Sequence, residues 1–421
     1  MSLVLVNTVL LLANLIKLSL VGGPYLCGMN ASIQPVRSLT RHLSLFFSDA
    51  QARAVGLVFA TESILFGSWV AHIPHVKDTL QLTDAQLGMT LFALPAGLIT
   101  MNPMTGWLVS KLGQVNACFW AALAFCAALL VPINAPNVYV LVTGLYVVGL
   151  CSALINVAMN TLATDVEKAN GIVIMSSCHG MWSVGGILSS VIAGIAIANH
   201  VSPAVHVAGI AAFVVFCTFL VRPILQSITV IPPEKSAAFV RPNLDLLLMI
   251  FIGLAVAMGE GLAFDWSGIY LRDTLKTSSQ VAALGFGAFS LTMTLGRFMG
   301  DAIIPRIGAK RWLLLGGLMA AAGLVLAVVL PYPPIALLGF AMLGAGSSLG
   351  APILYSAALR VPGISPAAGL ATFATFSFVG FLAGPPLIGF IAQGFGLSWG
   401  LLFVALMLIG SAIVSRFVKL F

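Results

Sequence analysis

Glu62, Glu260 and Asp265 each stand inside a long apolar run, and of the twelve acids in the chain only these three read as lying well within such runs. A charge near the centre of a bilayer costs roughly 3 kcal/mol on insertion scales, so it is retained there to face a cavity or a partner. A carboxyl group in such a position can take up and return a proton, which makes the three acids candidate proton carriers. The competing assignment for each is a structural acid held by hydrogen bonds. Glu260 stands between Gly259 and Gly261, where bare backbone favours local unwinding or close helix approach. Asp265 lies about 140° further around a helix of 3.6 residues per turn. The two therefore do not share a face: Glu260 is assigned to a cavity and Asp265 to the outer end of its helix.

Other polar and aromatic side chains have spacings that fit a transport site. His179 precedes Trp182 and Ser183 by three and four residues, which puts all three on one helical face. His179 is a candidate proton relay or a packing histidine. Trp69 follows Glu62 by two turns on the same face, and Trp69, Trp182 and Trp266 are candidate ring-stacking or interface-anchoring residues. Asn156 and Asn160 share a face and can hydrogen-bond a solute or a neighbouring helix. Arg297 and Asp301, four residues apart, are spaced for an ion pair and are assigned to gating, together with Lys111.

These residues must be held by helices. The chain of 421 residues is 60% hydrophobic and 7% charged, far below the quarter of charged residues usual in soluble domains. Runs of about 20 apolar residues recur, each long enough to cross a hydrocarbon core of ~30 Å, and in lipid such spans must be helical. Twelve are predicted, near 54–74, 85–108, 115–133, 138–163, 173–198, 204–222, 244–270, 281–303, 311–331, 334–358, 368–394 and 397–417. The fold class is all-α, a polytopic membrane protein. Its parts are an N-terminal extension (1–52), an N-terminal six-helix bundle (53–222), a central polar loop (223–243) and a C-terminal six-helix bundle (244–421).

Charge orients the helices. With the first span starting inside, fourteen loop Lys and Arg residues fall in the cytoplasm and only Lys77, Arg272 and Lys276 fall outside, as the positive-inside rule requires. Both ends of the twelve-helix body are then cytoplasmic. Residues 1–28 lack the positive start of a signal peptide; they read either as a mis-called start before Met29 or as a peripheral helix. The net charge of +7 follows from these loops and gives no nucleic-acid patch. Six cysteines show no metal-ligand spacing and read as small buried residues. The Gly-x-Ser-x-Gly at 346–350 lacks the strand a hydrolase elbow needs and reads as close helix packing, while "GPPLIG" (384–389) reads as a kink.

The halves repeat. "KDTL" (77–80) parallels "RDTL" (272–275), each after a Trp-bearing helix, and Gly106…Gly113 parallels Gly300…Gly308, all at an offset near 195. Two six-span units starting on the same side form a parallel repeat. The loop "GWLVSKLGQ" (106–114) is similar to the signature loop of the major facilitator superfamily through Gly106, Leu108, Lys111 and Gly113. Ser110 replaces its acid and Gln114 its terminal base, and in the second copy, "GRFMGDAIIPRIG" (296–308), Asp301 is displaced. "GSWVAHIPHVKDTL", "INVAMN", "MSSCHGMWSVGG", "GEGLAFDWSGIYLRD" and "AGPPLIGFIAQ" resemble the MosC-like branch of bacterial facilitators, loosely related to the fucose permeases. The resemblance implies two pseudo-symmetric bundles, alternating access and sugar-like or inositol-like cargo.

The expected function is secondary active transport of a small polar solute with proton coupling, by a monomer in a bacterial inner membrane, with no cofactor, metal or nucleic acid. An exporter working by proton antiport and a non-transporting membrane sensor are the alternatives. An intramembrane enzyme lacks HExxH and a nucleophile–base pair.

Overall fold

The computed structural model describes residues 39–229, 240–364 and 366–420; residues 1–38 and residues 230–239 of the central polar loop lie outside it. Among the described residues twelve helices are long and apolar enough to cross a membrane, labelled here α1 (Ala50–Thr79), α2 (Asp84–Leu112), α3 (Gln114–Ile133), α4 (Val138–Asn170), α5 (Met175–Ala198), α6 (Pro203–Gln226), α7 (Leu244–Asp265), α8 (Ser279–Ile307), α9 (Ala309–Val329), α10 (Pro333–Ala358), α11 (Ala368–Phe395) and α12 (Leu397–Val414). Side-chain caps open several of them. Asp49 accepts from the Ala52 amide, Thr83 forms a capping box with Gln86, and Asn137, Ser202, Asn243 and Ser278 cap α4, α6, α7 and α8. These oxygens satisfy amides that lack a partner in the first turn.

The repeat read from the sequence is a repeat of packing. In the first half α1 packs on α5 and α6, α2 on α4, and α3 on α4 and α6; in the second, α7 packs on α11 and α12, α8 on α10, and α9 on α10 and α12. The halves meet by a swapped pair, α5 along α8 and α11 along α2. Small residues permit this closeness: a methyl group on Gly88 would stand 2.4 Å from the Pro385 carbonyl oxygen, and one on Gly389 would stand 2.6 Å from that of Asp84. At Gly344 and Gly346 the same group would meet the carbonyls of Phe289 and Gly316 at 2.1 and 2.2 Å. The Gly-x-Ser-x-Gly segment is thus helix-packing surface.

One expectation about helix irregularity, local unwinding at Glu260, is corrected. α7 continues unbroken through Glu260 to Asp265, because Gly259 and Gly261 face Leu343 and Phe381 as ordinary packing neighbours. Its break comes at Trp266, followed by a π-helical turn at Tyr270–Thr274. In α11 the discontinuity falls at Phe378, while Pro385 and Pro386 sit inside a continuous segment.

Candidate functional site

The polar centre is assembled from both halves. Glu62 of α1 is buried and accepts a hydrogen bond from Trp182 Nε1 of α5 at 2.5 Å. One turn away, Arg297 of α8 approaches Glu260 of α7 at 4.0 Å and Ser183 Oγ of α5 at 3.5 Å. Arg297 therefore touches both halves at once. A cavity of about 140 Å³ opens beside it, walled by Glu260, Arg297, Tyr355, Ser377, Phe378 and Phe381 among others. The buried Ser377 hydroxyl has no hydrogen-bond partner among the described residues. One acid, one guanidinium, free hydroxyls and aromatic faces can bind a small solute with polar edges.

The other sequence candidates distribute unevenly. His179 packs edge-on against Phe59, with ring centroids 5.3 Å apart, and its carbonyl accepts from Ser183. Asn160 donates to the Asn156 carbonyl at 2.8 Å, so this pair bonds within α4. Tyr355, on the cavity wall, is the counterpart of Asn160 at the repeat offset. Asp265 ends α7, as expected, and makes no hydrogen bond or ion pair among the described residues. Trp69 and Trp266 are buried in the apolar core and do not line the cavity beside Glu260. Arg297 turns to Glu260, and the side chain of Asp301, its expected partner, lies outside the described residues. Lys111 lies over the Trp107 ring at 5.0 Å and makes no ion pair among the described residues. Gln114, standing where the signature loop usually carries a base, donates to buried Asp165 of α4. Asp165 is a buried acid that span boundaries drawn from hydropathy left outside.

Two layers above the centre escaped sequence reading. The first is aromatic. Phe264 of α7 contacts Phe66 and Trp182 from the first half and Phe286, Phe289 and Phe381 from the second, with centroids 5.3–6.1 Å apart. No one of these rings stands out among the 26 phenylalanines; only folding brings them into one layer. Phe264→Ala is expected to destabilise the fold by about 3 kcal/mol or more, read as a lowered midpoint of thermal unfolding in detergent. An unchanged midpoint would show that the layer is not a packed unit.

The second layer is ionic and closes the end of the molecule formed by the α1–α2 and α7–α8 connections. Lys77 bonds Asp273 at 2.8 Å and Asp84 at 2.7 Å. Arg272 holds Asp78 with both terminal nitrogens, at 2.7 and 2.9 Å, and bonds Asp273 at 2.6 Å. The two repeated dipeptides, Lys77-Asp78 and Arg272-Asp273, thus exchange partners across the pseudo-twofold axis. For Asp273 burial acts to raise the pKa, but the hydrogen bonds and charges of Arg272 and Lys77 outweigh it and hold the carboxyl below its ordinary value of 3.8.

Two six-helix halves around a shared polar centre, sealed at one end, define a secondary membrane transporter. The chain belongs to the Major Facilitator Superfamily, whose profile matches residues 54–363. An uncharacterized transporter, y4wD of Sinorhizobium fredii, is 32% identical over 81% of this chain and 91% of its own length. The membrane protein MosC of Rhizobium meliloti is 29% identical over 83% and 86%. In fold the chain is similar to a bacterial homolog of the human lysosomal transporter Spinster, solved inward-facing and occupied (TM-score 0.68, 15% identity, 92% of this chain and 98% of that one). It is also similar to the Escherichia coli fucose:proton symporter FucP (TM-score 0.56, 16% identity, 86% and 98%).

Proposed function

We propose that the protein moves a small polar solute across a bacterial inner membrane by alternating access, coupled to protons. The observation that carries this reading is the Glu260–Arg297 pair. It is an acid and a base 4.0 Å apart on the wall of a cavity, and its arginine also reaches Ser183 of the opposite half. A proton on Glu260 would release Arg297, so protonation, solute binding and the contact between halves can act on one another at a single point. Glu260 is the first coupling acid and Glu62, bonded to Trp182, the second. Solute contacts fall to Tyr355, Ser377 and the Phe378–Phe381 wall, with Trp182 and the Asn156–Asn160 face on the opposite side.

The positive-inside rule places the ionic seal outside and the basic loops, Lys111 included, in the cytoplasm, with bundles at 53–222 and 244–421 joined by 223–243. The carrier works as a monomer. A sugar-like or inositol-like cargo rests on the resemblance read from the sequence, and a fucose:proton symporter of similar fold agrees with the sugar-like reading. The same acids serve antiport, which keeps export of metabolites or drugs as the second reading.

Proteoliposomes test this. With an imposed inward proton gradient and a panel of polyols, sugars, amino acids and organic cations, one class is expected to accumulate and to lose accumulation when a protonophore collapses the gradient. Efflux in exchange for protons would establish the antiport reading. Protein-independent flux across the whole panel would overturn transport of these solute classes.

A further inference from the structure

Four of the six histidines in the chain gather at the end closed by the ion pairs, and the transport cycle proposed above uses none of them. A cavity of about 310 Å³ opens there, between the halves. His72, His75 and Asp78 of α1, His200 and Ser202 of the α5–α6 connection, and Arg272 with Ser279 of the second half line it. His72 Nε2 is 2.8 Å from His206 Nδ1 of α6, and the other ring nitrogen of His206 is buried without a partner among the described residues. His75 and His200 are exposed to the cavity mouth. Asp78 and Arg272 belong at once to this cavity and to the bidentate ion pair that joins the halves.

We infer that this cavity is a proton-binding site, distinct from the central acids, and that protonation of His75 and His200 weakens the Arg272–Asp78 bond and favours opening at this end. Three features carry the inference. The imidazole is the side chain whose charge changes between about pH 5 and 8. His75 and His200 both lie in the first half, so protons on them add positive charge to that half alone, against Arg272 of the second. His75 precedes Asp78 by three residues on α1, and once charged it offers Asp78 a partner on its own helix, in competition with Arg272.

The surrounding charges support the same direction. On α1, Lys77 adds a further positive charge and Thr79 Oγ1 stands 3.4 Å from His75 Nε2. From α2, Asp84 is engaged by Lys77. From the α7–α8 connection, Asp273 is shared between Lys77 and Arg272, and these partners keep it ionised through the pH range in which imidazoles titrate.

The site does not depend on Glu260 being the coupling acid, and the test separates the two. Spin labels are attached to cysteines at Tyr139 and Tyr332, which are exposed at the ends of α4 and α10 nearest the seal, in the full chain with its native cysteines replaced by alanine. Distance distributions are recorded in lipid nanodiscs from pH 8 to pH 5. The wild-type background is expected to raise its long-distance population about three- to tenfold as pH falls, the scale of one or two partly exposed charge pairs. His75→Gln with His200→Asn, the asparagine suiting the positive φ of 55° at residue 200, should reduce the rise to less than twofold. His75→Gln alone should reduce it partially and guards against a misfolded double variant. In a Glu260→Gln background, which removes any proton linkage through Arg297, part of the rise should remain, and His75→Gln with His200→Asn should remove it. No rise in wild type, an equal rise in the double histidine variant, or loss of the rise in Glu260→Gln would each overturn the inference.

Discussion

Replacing Glu260 with Gln is expected to abolish gradient-driven accumulation while leaving solute counterflow within about threefold of wild type. The amide keeps the size and hydrogen-bonding capacity of the carboxyl but cannot carry a proton or form a charged pair with Arg297, now 4.0 Å away. Counterflow needs only the loaded carrier to change state, whereas accumulation needs the proton to be linked to that change. The loss should exceed tenfold, equivalent to about 1.4 kcal/mol or more of coupling. Glu62→Gln is the comparison, since Glu62 is held by Trp182 rather than by a cation. If Glu260→Gln accumulates solute normally with the same pH dependence, the coupling acid is elsewhere and Glu62 is tested next. If both variants do so, the carrier is a uniporter or couples through His179 or Asp265.

Reversing one arm of the ionic seal is expected to be nearly as damaging, and reversing both to repair it. In Arg272→Asp, the new acid faces Asp78 and Asp273, so two attractions become two repulsions. Exposed and half-exposed pairs of this kind contribute ~0.2–1 kcal/mol each, so the combined change is about 2 kcal/mol, on the order of thirtyfold in the balance between closed and open seals. Transport should fall about tenfold and a cysteine on the wall of the central cavity, such as one at Ala257, should become reactive to outside thiol reagents. Adding Asp78→Arg restores the cross-half pair with its polarity exchanged, and transport should return to within about threefold. Failure of the double variant to recover would show that Arg272 acts through something other than its pairing with Asp78. The effect should also weaken in high salt, because the pairs reach the surface.

The structure also accounts for the weak signature loop at the opposite end. Gln114 in place of a base gives Asp165 a neutral donor, and Lys111 rests on Trp107. Among the described residues the charged contacts between halves are concentrated at Lys77, Asp78, Arg272 and Asp273, with Arg297 in the centre.

The sequence by itself determined the twelve spans, the fold class and the internal duplication. Each of these depends on quantities local along the chain: the length of an apolar run against the thickness of a bilayer, and residue types recurring at a fixed offset. It also marked Glu62 and Glu260, because an acid within an apolar run is anomalous whatever surrounds it. It could not pair them. Trp182 reaching Glu62, Arg297 reaching Glu260 and Ser183, and Lys77 and Arg272 exchanging Asp78 and Asp273 are contacts between residues separated by up to 196 positions. The "KDTL" and "RDTL" segments were visible as a repeat, yet their reciprocal bonding exists only because the pseudo-twofold axis sets one against the other. Trp69 and Trp266 illustrate the reverse case. Their type fitted a binding site, but packing turned them into the core, while Phe264, one unremarked ring among many, was placed at the centre of the aromatic layer. Which face of a helix meets a cavity is decided by its neighbours, and a periodic apolar sequence in a membrane, where every face is apolar, carries little record of that choice.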